Sequence, residues 1–112
     1  MHASLAAAEA LREEGISVGV VDVHTIKPLD SELLLSVAAS TGLLMTVEEH
    51  NVLGGLGGAV AELLTEAGAG VRLHRHGIRD EFIIIGPPTH LYAHSRLDAA
   101  GIAAEARDAL GL

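Results

Sequence analysis

The chain has 112 residues, no cysteine and a formal net charge of −8, a size that suits one domain with a modest core. The acidic balance argues against nucleic acid, which selects basic patches, and the lack of cysteine excludes disulfide and thiolate chemistry. No apolar run reaches the length of a membrane span, and Glu9, Arg12, Glu13 and Glu14 interrupt any signal-peptide core, so a cytoplasmic protein without a membrane partner is expected.

Ala3 to Glu14 is rich in Ala, Leu and Glu and predicts a helix, with Leu5, Ala8 and Leu11 toward the core and Gly15 as its C-terminal cap. Ile16 to Val23 follows. Its valines suggest a strand buried on both faces. His24-Thr25-Ile26-Lys27-Pro28-Leu29-Asp30 reads as a loop. Asp30 is placed to cap a helix from Ser31 to Ser40 whose Leu33, Leu34 and Val37 point inward. His24, Thr25 and Lys27 could meet a phosphorylated substrate there, but a solvated lysine and a simple Asp cap explain the loop better.

The run Gly42-Leu43-Leu44-Met45-Thr46-Val47 reads as a buried strand. It ends in Glu48, Glu49, His50 and Asn51 and turns through Gly54, Gly55, Gly57 and Gly58 into a helix, Gly57 to Ala67. Val71 to Ile78 alternates cleanly and suggests a strand nearer an edge, with His74 and His76 on one face. Ile83-Ile84-Ile85 suggests a short edge strand or an apolar patch for a partner. A short helix from Thr89 to His94 precedes a last one, Ala99 to Leu110, capped by Asp98 and striped by Ile102, Ala103, Ala106 and Leu110.

Strands separated by helices imply a βαβ layout, and a strand turning into a helix through glycines is a common place for a site. The glycines match only two of the three in a dinucleotide fingerprint, and Glu48 and Glu49 stand where a pyrophosphate would sit. Close packing of backbone is therefore the preferred role for Gly54, Gly55, Gly57 and Gly58. Adjacent carboxylates on a strand point to opposite faces, so only one of Glu48 and Glu49 can serve a given site. One of them is expected to accept amide N–H bonds from the glycine loop or to pair across an interface. His90 and His94 share a helix face, yet neither they nor His74 and His76 find a third ligand, and no metal site is expected.

Two stretches carry a resemblance. Thr46-Val47-Glu48-Glu49-His50-Asn51-Val52-Leu53-Gly54-Gly55-Leu56-Gly57-Gly58-Ala59-Val60-Ala61-Glu62 looks like the signature of the transketolase C-terminal domain. Val21-Asp22-Val23-His24-Thr25-Ile26-Lys27-Pro28-Leu29-Asp30 resembles a second segment of it. The likeness covers nearly the whole chain and is nearest to the separate C-terminal subunit of split transketolases. Deoxyxylulose phosphate synthases and the β subunits of 2-oxo acid dehydrogenases carry related domains and are the nearest alternatives. The Ile83-Ile84-Ile85 run departs from the family pattern.

The resemblance implies an α/β fold of three layers, α/β/α, with a mostly parallel sheet. It implies two-carbon ketol transfer between sugar phosphates by an assembled enzyme. Thiamine diphosphate and Mg would be held by the N-terminal and middle transketolase domains or by a separate subunit in a homo- or hetero-oligomer. This chain would bind no cofactor or metal by itself and would not be catalytic alone. Glu48, Glu49, His50, Asn51, Gly54, Gly55, Gly57 and Gly58 are then candidates for interface and packing. A stand-alone regulatory module that binds a small anion at the glycine loop is the rival reading. The family's domain begins with a strand ahead of the first helix. The chain is therefore expected to be an N-terminally truncated domain, with an open place in the sheet between Ile16–Val23 and Leu43–Val47.

Overall fold

The computed structural model describes residues 1–81 and 85–112, and its contacts divide the chain into two compact units. One unit is a continuous segment, Val23–Asp80. The other combines Met1–Asp22 with Glu81–Leu112.

The continuous unit holds helix α2 (Ser31–Ser40), strand β1 (Leu43–Asn51), helix α3 (Leu56–Glu66) and strand β2 (Arg72–Ile78). Helix α2 starts where the sequence predicts, because the Asp30 carboxylate accepts the Leu33 N–H at 3.1 Å and satisfies one of the orphan amides of the first turn. β1 and β2 pair in parallel, from Leu43 opposite Arg72 to Val47 opposite His76, with an irregularity before Asn51 meets Ile78. A parallel pair needs a crossover connection, and α3 supplies it. Leu34 and Ala38 of α2 and Val60 and Leu64 of α3 form the core, with Val23, Leu29, Leu44, Leu56 and Leu73 packed around them. Leu33 is instead exposed and Val37 half-buried. Leu34 is buried as predicted, and Ala38, four residues on and so on the same helix face, shares the inward stripe with it.

The discontinuous unit contains α1 (His2–Glu13), α4 (Pro88–His94) and α5 (Ala99–Leu110). Ala7, Ala8 and Leu11 of α1 are buried, as are Leu97 and, on α5, Ile102 and Ala103. Gly15 ends α1 at φ +84° and donates to the Arg12 carbonyl at 2.9 Å. Asp98 caps α5 by accepting the Gly101 N–H at 2.8 Å. The predicted stripe of α5 is corrected at two positions. Leu110 is exposed, and Glu105 is buried with an ion pair to Arg96 at 2.8 Å. Arg96 has φ +56°, and its backbone leaves no room beside Gly101, where a Cβ would fall 2.5 Å from Arg96 Cα.

Residues 16–23 form no strand. Ile16, Val18 and Val20 are half-buried and the residues between them exposed, so the segment is not buried on both faces. β-Branched residues favour extended backbone, but a strand also needs a ladder partner. The Val18 carbonyl accepts from the Arg12 guanidinium instead, at 2.7 and 3.1 Å. β1 and β2 are the only paired strands among the described residues. Of the predicted Ile83-Ile84-Ile85 strand, Ile83 and Ile84 lie outside the described residues, and Ile85 is fully exposed.

Candidate functional site

The strand β1 runs on through Glu48, Glu49, His50 and Asn51 before the glycine loop begins. Strand alternation sends the two carboxylates apart. Glu49 is exposed, whereas the Glu48 side chain is only 9% exposed. Glu48 reaches across the loop to the start of α3. Its Oε1 accepts the Leu56 N–H at 3.0 Å and its Oε2 accepts the Gly57 N–H at 2.8 Å. Two amides that a helix leaves unsatisfied at its N-terminus are thus filled by one carboxylate, and its charge lies at the positive end of the helix dipole.

The glycines serve this contact unequally. A Cβ on Gly55 would fall 1.9 Å from Glu48 Oε1, and one on Gly57 would fall 2.9 Å from both Thr46 Oγ1 and Arg75 Cγ. Gly54 sits at φ +75°, while Gly58 has open space beside it. Three of the four predicted packing glycines therefore have a stated steric or conformational cause, and Gly58 has none. Gly77 of β2 belongs to the same cluster, because a Cβ there would fall 2.8 Å from the His50 carbonyl oxygen and 3.0 Å from Glu48 Cγ. A glycine inside a strand is the sequence signal for such an approach.

Asn51 shapes the loop. Its Oδ1 accepts the Leu53 N–H at 2.9 Å and its Nδ2 donates to Asp80 Oδ1 at 3.3 Å. His50 Nδ1 lies 2.9 Å from the Asn51 carbonyl and 3.9 Å from Glu48 Oε1.

Beside this loop is an open hollow of about 380 Å³, lined by Val23, Ile26, Val47, Glu48, His50, Gly54, Gly55 and Leu56. The two stretches singled out in the sequence therefore meet at one place. The second stretch brings its polar Glu48 and His50 to the lining, and the first brings only apolar residues. Val23 and Ile26 line the hollow, whereas His24, Thr25 and Lys27 are exposed and lie outside its lining. His24 Nδ1 is occupied locally, 3.2 Å from Thr25 Oγ1. Among the described residues no group of three or more His, Asp or Glu side chains is placed to hold a metal ion. No described helix is long and apolar enough to cross a membrane.

The family model for the transketolase C-terminal domain matches residues 1–102. The chain is 48% identical over 105 residues to the 1-deoxy-D-xylulose-5-phosphate synthase of Syntrophotalea carbinolica, which covers 94% of this chain and 17% of that protein. It is 47% identical over 102 residues to 1-deoxy-D-xylulose-5-phosphate synthase 1 of Geobacter sulfurreducens, covering 90% of this chain and 16% of that one. A solved split-gene transketolase, described as an inactive β4 tetramer, superposes with a TM-score of 0.90 at 40% identity over 99% of this chain and 36% of its own. The chain thus spans a small part of the proteins it matches.

Proposed function

Because the chain belongs to the transketolase C-terminal domain family, we propose that it is the C-terminal domain of a 1-deoxy-D-xylulose-5-phosphate synthase. In that reading thiamine diphosphate and a divalent metal are held by other domains, and this one packs beside them. Among relatives compared over nearly the whole chain, the synthases support this product more than ketol transfer between sugar phosphates.

The observation that carries the structural role is the Glu48 contact. Anions bind readily at a free helix N-terminus, but the Leu56 and Gly57 amides of α3 already bond to Glu48. A pyrophosphate brought there would meet a fixed carboxylate, and like charges at 4 Å repel by roughly 1 kcal/mol even in bulk water. The residues at the glycine turn therefore do not fit the cofactor, and the rival reading as a small-anion module loses its site by the same argument.

The test is an assay of the whole enzyme that contains these residues, with thiamine diphosphate and Mg. Formation of 1-deoxy-D-xylulose 5-phosphate is expected. Two-carbon transfer between sugar phosphates in its place would move the chain to the split transketolases. The 112-residue chain alone should be inert in both assays, and turnover by it would overturn the assignment of chemistry to other domains.

A further inference from the structure

We propose that the hollow at the end of β1 is a socket for one lysine or arginine side chain carried by a neighbouring protein domain. The inference rests on the reading above that this domain works beside others. Its own argument is the hydrogen-bonding character of the lining.

The walls are apolar: Val23, Ile26, Val47 and Leu56, with the backbone of Gly54 and Gly55 between them. Two polar side chains enter the lining, Glu48 and His50. A carboxylate oxygen has more than one acceptor position, so each oxygen of Glu48 keeps a lone pair after taking its one amide. The tautomer of His50 follows from its neighbour. A carbonyl oxygen can only accept, so the nitrogen 2.9 Å from the Asn51 carbonyl carries the proton. When the ring carries only that proton, Nε2 is left as an acceptor, and the side chain is 66% exposed.

With Nε2 unprotonated the polar set is made of acceptors, and it carries the Glu48 negative charge with no lysine or arginine in the lining. The complementary group is a donor with no acceptor of its own. Among protein side chains that describes an ammonium, a guanidinium, a protonated imidazole or the indole N–H of Trp, and of these Lys and Arg bring a standing positive charge to meet the Glu48 carboxylate. Both stand on aliphatic stems that lie well along apolar walls. A carboxylate or phosphate would be repelled by Glu48, and a plain alkyl group would leave acceptors unmatched. Among the described residues no lysine or arginine belongs to the lining, and the one lysine, Lys27, is exposed outside it. Arg75 is turned to the Val52 carbonyl at 3.4 Å. A net charge of −8 favours a basic surface opposite.

The full 112-residue chain, labelled with ¹⁵N, can be titrated with n-butylguanidinium chloride, and separately with n-butanol and sodium butyrate at matched ionic strength. Saturable shifts are expected for the amides of Glu48, His50, Gly54 and Gly55 and for the ring nitrogens of His50, with the guanidinium probe only. His50→Phe, which keeps the ring volume and removes the acceptor, should weaken the probe by roughly three- to tenfold. Glu48→Gln tests the charge. Because it also touches the start of α3, His50→Phe keeps the test decisive where Glu48→Gln fails to fold. An equal response to butanol, any saturable response to butyrate, or no saturation with the guanidinium would overturn the proposal. Millimolar affinity is the expected strength for one side chain cut out of an interface. Micromolar binding of spermidine would make this a small-amine site and overturn the docking role. None of these readouts needs turnover, so they stand apart from the product assay.

Discussion

Glu48 shows how much one carboxylate can organise. It closes the turn between β1 and α3 through two amides, and Gly55 is the residue that lets it come that close. Two alanine substitutions separate this role from plain helix propensity. Gly55→Ala places a Cβ 1.9 Å from Glu48 Oε1, so the carboxylate must leave its amides. A loss of about 2 kcal/mol is expected from the broken charged bonds. Gly58→Ala meets open space within α3 and should be neutral or stabilise by up to about 1 kcal/mol. Urea unfolding of the two variants checks the pair, and equal effects would show that Glu48 is not the constraint.

The residues of this turn were largely readable in advance. Strand geometry requires that one of two adjacent glutamates face away, and the glycines forecast a close approach. Which glutamate turns inward was not readable, because that depends on the packing of β1 against α3. Of the hollow's apolar walls, Val23 and Val47 fall in runs read as buried strands, whereas nothing in the sequence of the loop that holds Ile26 marks it as part of a lining.

At the scale of elements, local signals did best. Asp30 and Asp98 fixed the starts of α2 and α5 because a cap is made within three residues. The failures are non-local. Residues 16–23 have strand composition without a ladder, and Glu105 interrupts an apolar stripe because its partner Arg96 lies at a turn of unusual backbone. The α1–α5 pairing has an ionic link of the same non-local kind. Arg107 donates to Glu14 through both Nε, at 2.8 Å, and Nη2.

The Arg107 hydrogen bonds hold the Glu14 carboxyl below its ordinary value of 4.5, helped by the guanidinium charge and opposed by partial desolvation. The same contact raises Arg107, which stays charged throughout. A carboxylate with a depressed folded value contributes stability above its unfolded value. That contribution is lost as pH falls through the folded value. Stability should therefore drop in acid, starting below about pH 4.5, and Glu14→Gln should flatten that part of the profile. The pair is solvent-exposed, so salt should shrink the difference between the two proteins. Thermal melts across pH at low and high salt measure this, and parallel profiles at every salt concentration would remove Glu14 from the account.

For the whole molecule, the two units differ in how the chain supplies them. Val23–Asp80 is continuous, whereas the other unit takes its helices from both ends of the sequence. Glu14 and Arg107 are 93 residues apart. During synthesis, α1 leaves the ribosome long before α5 exists. At the usual elongation rates the interval between the two residues is roughly 5–20 s. Over that time the buried face of α1, with Ala7, Ala8 and Leu11, waits without the helix it packs on, while the continuous unit can already assemble. Stalled nascent chains should make the order visible. When Asp80 has just cleared the exit tunnel, β1 and α3 should resist pulse proteolysis and α1 should be cut. Once Leu110 emerges, α1 should become resistant too. Early resistance of α1 would mean that it finds other shelter before its partner is made.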